Sequence, residues 1–101
     1  MNVEIRSEAV SDIHAGVAFY DQQSSGAGDY FFQRIFDDIE SLGSTAGCHE
    51  KHFGYHRKIA SRHPFLIYYE VLPKAVSVVA VLDGRTEPTD INALLQRRQS
   101  F

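Results

Sequence analysis

Two apolar runs parted by a two-residue break limit this chain more than any other feature. Phe65 to Leu72 and Ala75 to Leu82 are built almost wholly of β-branched, aromatic and aliphatic residues, with only Pro73 and Lys74 between them. Runs of this make-up around a tight break form an antiparallel hairpin. Neither run alternates cleanly between apolar and polar, so both faces of the hairpin are expected to be partly covered, as in central strands. Alternation puts Phe65, Ile67, Tyr69 and Val71 on one face and Leu66, Tyr68 and Leu72 on the other. Basic residues gather at the ends of this unit: Arg57, Lys58 and Arg62 precede it and Arg85 leaves it.

A hairpin of this kind needs a cover, and 101 residues at 44% hydrophobic suffice for one domain with one core, spanning 1–101. The longest apolar runs are about eight residues, against the roughly 20 that cross a bilayer, and MNVEIR lacks the order of a secretory signal. A soluble, cytoplasmic protein without membrane contact is expected. The single cysteine, Cys48, excludes an intramolecular disulfide and suits a reducing compartment. Charge divides along the chain. Residues 1–50 carry nine acidic and two basic side chains (−7) and residues 51–101 four acidic and eight basic (+4), which together give the net −3. An acidic helical layer beside a basic sheet edge follows, able to attract nucleic acid, a phosphate or an acidic protein; many folded domains carry such asymmetry and bind nothing with it.

In chain order, Val3 and Ile5 alternate with polar neighbours as in a half-buried strand over Val3 to Arg6. Ser7 is placed to cap a first helix, about Glu8 to Gln23, whose Val10, Ile13, Val17 and Tyr20 recur at helical spacing; Gly16 marks close packing against another backbone. The short link Ser24 to Gly28 makes the next helix an antiparallel neighbour. That second helix carries Phe31, Ile35, Ile39 and Leu42, reinforced by Phe32 and Phe36, a stripe that reads as core. From Gly43 to Gly54 the pattern is that of a loop, followed by a strand over about His56 to Ser61 and a turn through Arg62, His63 and Pro64. After Asp83 and Gly84, Thr89 or Asp90 can cap an optional short C-terminal helix with Ile91, Leu94 and Leu95, and Arg97 and Arg98 near its end. The fold expected is α+β: an N-terminal strand, then an antiparallel helical hairpin packed on a mainly antiparallel four-stranded sheet, in the order β-α-α-β-β-β.

Cys48, His49, His52 and His56 fall within nine positions and are donors of the kind zinc takes, but only His52 and His56 have an i,i+4 spacing and no paired cysteine motif is present. An exposed polar loop, with no metal and no cofactor, is the expectation.

With the elements in this order the chain resembles the RelE/ParE superfamily of bacterial type II toxins, which includes plasmid stabilisation proteins. The likeness rests on Ser7-Glu8-Ala9 with Asp12-Ile13, on Phe19 to Gln23, on Gly26 to Phe31, on His63 to Tyr69, and on Val78 to Pro88. No one of these is specific; their order is. The resemblance implies a toxin held inactive by a cognate antitoxin. RelE-like members cleave messenger RNA on the ribosome and ParE-like members poison DNA gyrase. Attack by a 2′-hydroxyl needs a proton acceptor, a proton donor and cations around phosphorus. Of the three side chains RelE-like members use, an arginine in the third strand falls at Leu66, a second arginine at Arg85, and a tyrosine near Ile91, so two are absent. His63 and Asp83 are candidates to replace an acid–base pair. The resemblance therefore implies a ParE-like protein that binds gyrase and does no chemistry, with a ribonuclease, or a non-toxic interaction domain of the same fold, as alternatives.

Two helices can shield only one face of the sheet. The other, with Leu66 and Tyr68, is expected to stay open as a docking surface, its rim residues Arg57, Lys58, Arg62 and Arg85 selecting an acidic partner segment. An antitoxin tail or a second copy in a homodimer would cover it equally well.

Overall fold

The structure, a computed structural model, describes residues 1–99. Strands β1 (Asn2–Ile5), β2 (Lys51–His52), β3 (Tyr55–Ile59), β4 (Phe65–Val71) and β5 (Ala75–Asp83) form one mixed sheet in the order β1-β5-β4-β3-β2, with helices α1 (Ser7–Gln23), α2 (Ala27–Thr45) and α3 (Pro88–Arg97). β1 runs parallel to β5 and the other pairs are antiparallel. This is the expected α+β layout, with one strand more than the four anticipated. β2 arises inside the segment read as loop, because Phe53 and Gly54 (φ 57° and 90°) close a two-residue hairpin onto Tyr55. That turn normally takes Asn-Gly, so the sequence carried no signal for it.

The β4–β5 hairpin closes at Pro73-Lys74, where Leu72 N–H donates to the Ala75 carbonyl at 2.8 Å. Phe65, Ile67 and Tyr69 face α1 and α2, and Leu66 and Tyr68 face away. β5 breaks alternation for a local reason. Tyr69 pairs with Val78 and Tyr68 with Ala80, leaving Val79 as a bulge residue. Val76, Val78 and Val81 therefore point to the helical hairpin, whereas Val79 and Ala80 point together to the opposite face.

That opposite face is not open. α3 lies across it, burying Ile91 and Leu95 against Tyr55, Tyr68, Val79 and Ala80, with Leu66, Leu82 and Leu94 half-buried around them. The expected exposed sheet face is thus overturned: the C-terminal helix is integral and forms a third layer. Its N-cap is Glu87, with Pro88 in the first turn, and neither Thr89 nor Asp90 caps it. Likewise Ser7 is the first residue of α1, not its cap, and Arg6 precedes the helix.

In the helical hairpin, Gly28 is where two backbones meet. Its N–H donates to Asp21 Oδ1 at 2.8 Å, and a Cβ there would lie 2.6 Å from the Val17 carbonyl oxygen. Gly16 admits the Phe31 ring, not a backbone as expected: a Cβ would stand 2.5 Å from it. α1 buries Ala9, Ile13 and Gly16 and α2 buries Phe31, Ile35, Ile39 and Leu42. Val10, Phe32 and Phe36, read as core, are exposed. The Phe31/Ile35/Ile39/Leu42 stripe already fills the contact with the sheet, and residues one position further round the helix miss it.

Past the end of β1 the edge of β5 would be bare. Two side chains cover it instead. Asp12 Oδ2 accepts from Val81 N–H at 3.0 Å, and Arg98 NH1 donates to the Val79 carbonyl at 3.1 Å. The two also pair with each other, at 2.6 and 2.9 Å. This pair ties α1, β5 and the end of α3 together. Arg6 extends it, donating to Ser77 Oγ at 3.2 Å and to the Arg98 carbonyl at 3.1 Å and pairing with Glu70.

Candidate functional site

The residues expected to carry chemistry come from three places on the sheet: the β3–β4 turn (Arg62, His63), the end of β5 (Asp83, Arg85) and mid-β3 (Arg57, Lys58). The first two are brought together. Phe65 pairs with Asp83, and Gly84 N–H donates to the Pro64 carbonyl at 2.7 Å, so the turn and the β5 exit form one end of the molecule. The turn is anchored from α2, because the buried Asp38 accepts from Ser61 N–H (2.9 Å) and Ser61 Oγ (3.1 Å) through one oxygen.

The side chains do not converge. Arg85 forks onto Asp83, Nε to Oδ1 at 2.9 Å and NH2 to Oδ2 at 2.7 Å. These bonds hold the Asp83 carboxyl below the usual carboxylate range and raise the Arg85 guanidinium in turn. Asp83 is a poor proton acceptor in that state, and the Arg85 charge is matched locally. His63 turns inward among Tyr20, Phe31 and Tyr30, with ring centroids at 4.9, 5.0 and 5.7 Å. Its Nδ1 is buried without a partner among the described residues, and burial pushes its pKa down, with Asp38 opposing. A ring held in this way packs as an aromatic, with its Nδ1 turned away from solvent.

On the α3 face Arg57 and Tyr68 are cross-strand neighbours. Tyr68, expected to be a binding residue, is fully buried under α3, and Leu66 is half-buried beside Leu82. The Tyr68 hydroxyl has no hydrogen-bond partner among the described residues. Burial raises its pKa, and the neighbouring Arg57 guanidinium opposes this. Arg62 is exposed in the turn.

The histidine-bearing segment makes separate contacts with protein groups. Gly47 N–H donates to the Tyr69 hydroxyl (3.1 Å), which shares a 2.6 Å bond with His49 Nδ1. Burial, Lys58 and His56 all lower the His49 pKa, which favours the neutral ring. His56 Nδ1 donates to the His49 carbonyl at 2.7 Å and its ring stacks on Tyr69. Cys48 is exposed, and His52 lies 3.7 Å from Glu50. No group of three or more His, Cys, Asp or Glu side chains is placed to share a metal ion among the described residues.

The feature that sequence reasoning missed lies on the helical hairpin. Ile5, Val10, Ile13, Phe32, Ile35 and Phe36, with His14, line a mainly apolar cleft of about 270 Å³ between α1 and α2. A second cleft, sharing Ile5 and Phe36 with the first, continues along β1 past Val3 and Gly43. Phe32 (37% exposed) and Phe36 (39% exposed) stack with ring centroids 6.0 Å apart at its lip. The signal was present as apolar residues in excess of those one helix face can bury. The groove runs beside β1, an edge strand, while Arg57 and Lys58 lie toward the opposite edge.

Neither a family model nor a curated protein matches the sequence. The fold does have a solved counterpart. A chain of the chromosomal ParDE TA system from P. aeruginosa superimposes with a TM-score of 0.75 over 82% of this chain and 95% of its own length, at 17% identity. That likeness is one of fold, and it agrees with the resemblance read from the sequence. No helix among the described residues is long and apolar enough to cross a membrane.

Proposed function

We propose that this chain is the toxin of a type II toxin–antitoxin pair, of the ParE-like kind, which acts by binding DNA gyrase and is neutralised by a cognate antitoxin. The observation that carries this reading is the fold shared with a chain of a ParDE TA system over nearly the whole of that chain. The groove of Ile5, Val10, Phe32 and Phe36 supplies what such a pair needs, an apolar trough beside a free strand edge into which a helix or strand of the antitoxin can lay its apolar side. The catalytic alternative has less support, because Asp83 is held by Arg85, the half-buried His63 turns its Nδ1 inward, and Leu66 stands where RelE-like members carry arginine.

Induced expression in bacteria tests the reading, with a gyrase supercoiling assay and primer extension on messenger RNA in parallel. Growth arrest with inhibited supercoiling and intact messages is expected, relieved by co-expression of the product of the adjacent small open reading frame. A Phe36→Asp variant should escape that relief while still arresting growth. Codon-linked cleavage with normal supercoiling would replace this reading by the ribonuclease, and no growth effect at all would leave an interaction domain.

A further inference from the structure

The outer edge of β3 is half covered. β2 is two residues long, so it pairs only with Tyr55 and His56, and one further bond follows, from Arg57 N–H to the Glu50 carbonyl at 2.9 Å. On the inner side Ala60 N–H donates to the Phe65 carbonyl at 3.0 Å. The alternation of an antiparallel ladder therefore directs the Arg57 carbonyl and both backbone groups of Ile59 outward, where no strand of the described residues meets them. Ile59 is 63% exposed, more than any other large apolar side chain described. A cleft of about 340 Å³ lies along this edge, lined by His49, Glu50, His52, Arg57, Lys58 and Ile59.

The charge at this edge is uncommitted. Arg6, Arg34, Arg85 and Arg98 each hold a carboxylate, whereas neither Arg57 nor Lys58 forms an ion pair among the described residues. The acid in the cleft, Glu50, lies nearer to His52. Charged residues on a free edge commonly serve to prevent pairing between copies. Here they repel a second copy of the same edge and attract an acidic strand, so the same residues choose the partner.

We propose that Arg57 to Ile59 form a docking edge for an extended acidic segment of a partner protein. That segment continues the line of β2, pairs with the free backbone groups, sets an apolar side chain against Ile59 and sets carboxylates beside Arg57 and Lys58. A polypeptide fits better than a nucleic acid, because unpaired strand-edge groups are completed by another backbone's N–H and C=O. The net charge of −3 also works against a long polyanion at physiological salt. The edge is at the far side of the sheet from the β1 groove, so this inference is independent of the toxin reading.

The test is an NMR titration of the full chain with three probes: a capped (Ile-Glu-Glu)-repeat hexapeptide, which sets Ile, Glu and Glu opposite Ile59, Lys58 and Arg57, its (Ile-Lys-Lys) counterpart, and a ten-nucleotide oligothymidylate. The acidic peptide is expected to shift the Arg57, Lys58 and Ile59 amides and to slow exchange at the Ile59 amide. Lys58→Glu should weaken binding by about tenfold through charge alone. Ile59→Pro removes an outward N–H without touching the β4 ladder, and should abolish binding at unchanged Tm. Equal binding of the basic peptide, preference of the same residues for the oligonucleotide, or no shift at millimolar acidic peptide would overturn the proposal. So would Lys58→Glu binding as tightly as the parent chain.

Discussion

Asp12→Ala is the substitution whose cost the structure defines most sharply. Asp12 accepts three hydrogen bonds, one from Val81 N–H and two from Arg98, and the two side chains are only 13% and 15% exposed. Removing it strands a mostly buried guanidinium and uncovers the β5 edge at Val81. Removing one partner of a fully buried pair costs about 3–5 kcal/mol, and the residual exposure here lets water reach the Arg98 head, so about 3 kcal/mol is expected. For a chain of this length that lowers Tm by about 12–20 °C. Arg98→Ala should cost less, about 2 kcal/mol, because Asp12 keeps its bond to Val81 N–H and Arg98 loses only the Val79 carbonyl besides. Asp12→Ala/Arg98→Ala should then be only slightly less stable than Asp12→Ala, a coupling of about 1–2 kcal/mol. Urea unfolding followed by circular dichroism measures all four corners of the cycle, and hydrogen exchange at Leu95 reports whether α3 loosens first. A loss below about 1 kcal/mol for Asp12→Ala, or strict additivity in the double variant, would refute the assignment of this pair as the tie between α1, β5 and α3.

Gly16→Ala should destabilise by about 1–2 kcal/mol in thermal unfolding, because a Cβ 2.5 Å from the buried Phe31 ring overpacks by more than the roughly 1 kcal/mol of helix propensity gained. Phe53→Asn should stabilise by about 1 kcal/mol, since Phe53 is held at φ 57° in a turn that favours Asn-Gly; an unchanged urea midpoint would show that the turn is unstrained. His63 and His49 both have pKa values below 6.5 in the folded chain, chiefly through burial, so the unfolded chain takes up protons first as pH falls. Stability should therefore decline as pH drops below about 6.5, and His63→Phe should flatten that decline; parallel pH profiles for variant and parent would show that His63 does not contribute.

Much of the architecture was legible because it depends on residues close in sequence. The Pro73-Lys74 hairpin, the facing of Phe65, Ile67 and Tyr69 against Leu66 and Tyr68, the two helices and the order of elements all follow from local composition and period. What escaped depends on residues far apart. The Val79 bulge is a matter of register between two strands, and it is why β5 shows no clean alternation. The burial of Tyr68 under α3 requires a C-terminal helix to cross the sheet, held by Arg98 on an aspartate 86 residues earlier. Because α3 closed that face, the apolar opening lies on the helical hairpin, where Phe32 and Phe36 look like core by spacing and stand exposed because Phe31 and Ile35 already fill the contact. The same holds for the candidate site. Arg57, Lys58, Arg62, His63, Asp83 and Arg85 could be named from their places in the chain, but pairing is decided by tertiary approach. Only the folded chain sets His63 among Tyr20, Phe31 and Tyr30 and leaves Arg57 and Lys58 without an ion-pair partner among the described residues, along a half-covered edge. Periodicity says which way a side chain points, whereas what it meets there is settled by elements that arrive from elsewhere in the sequence.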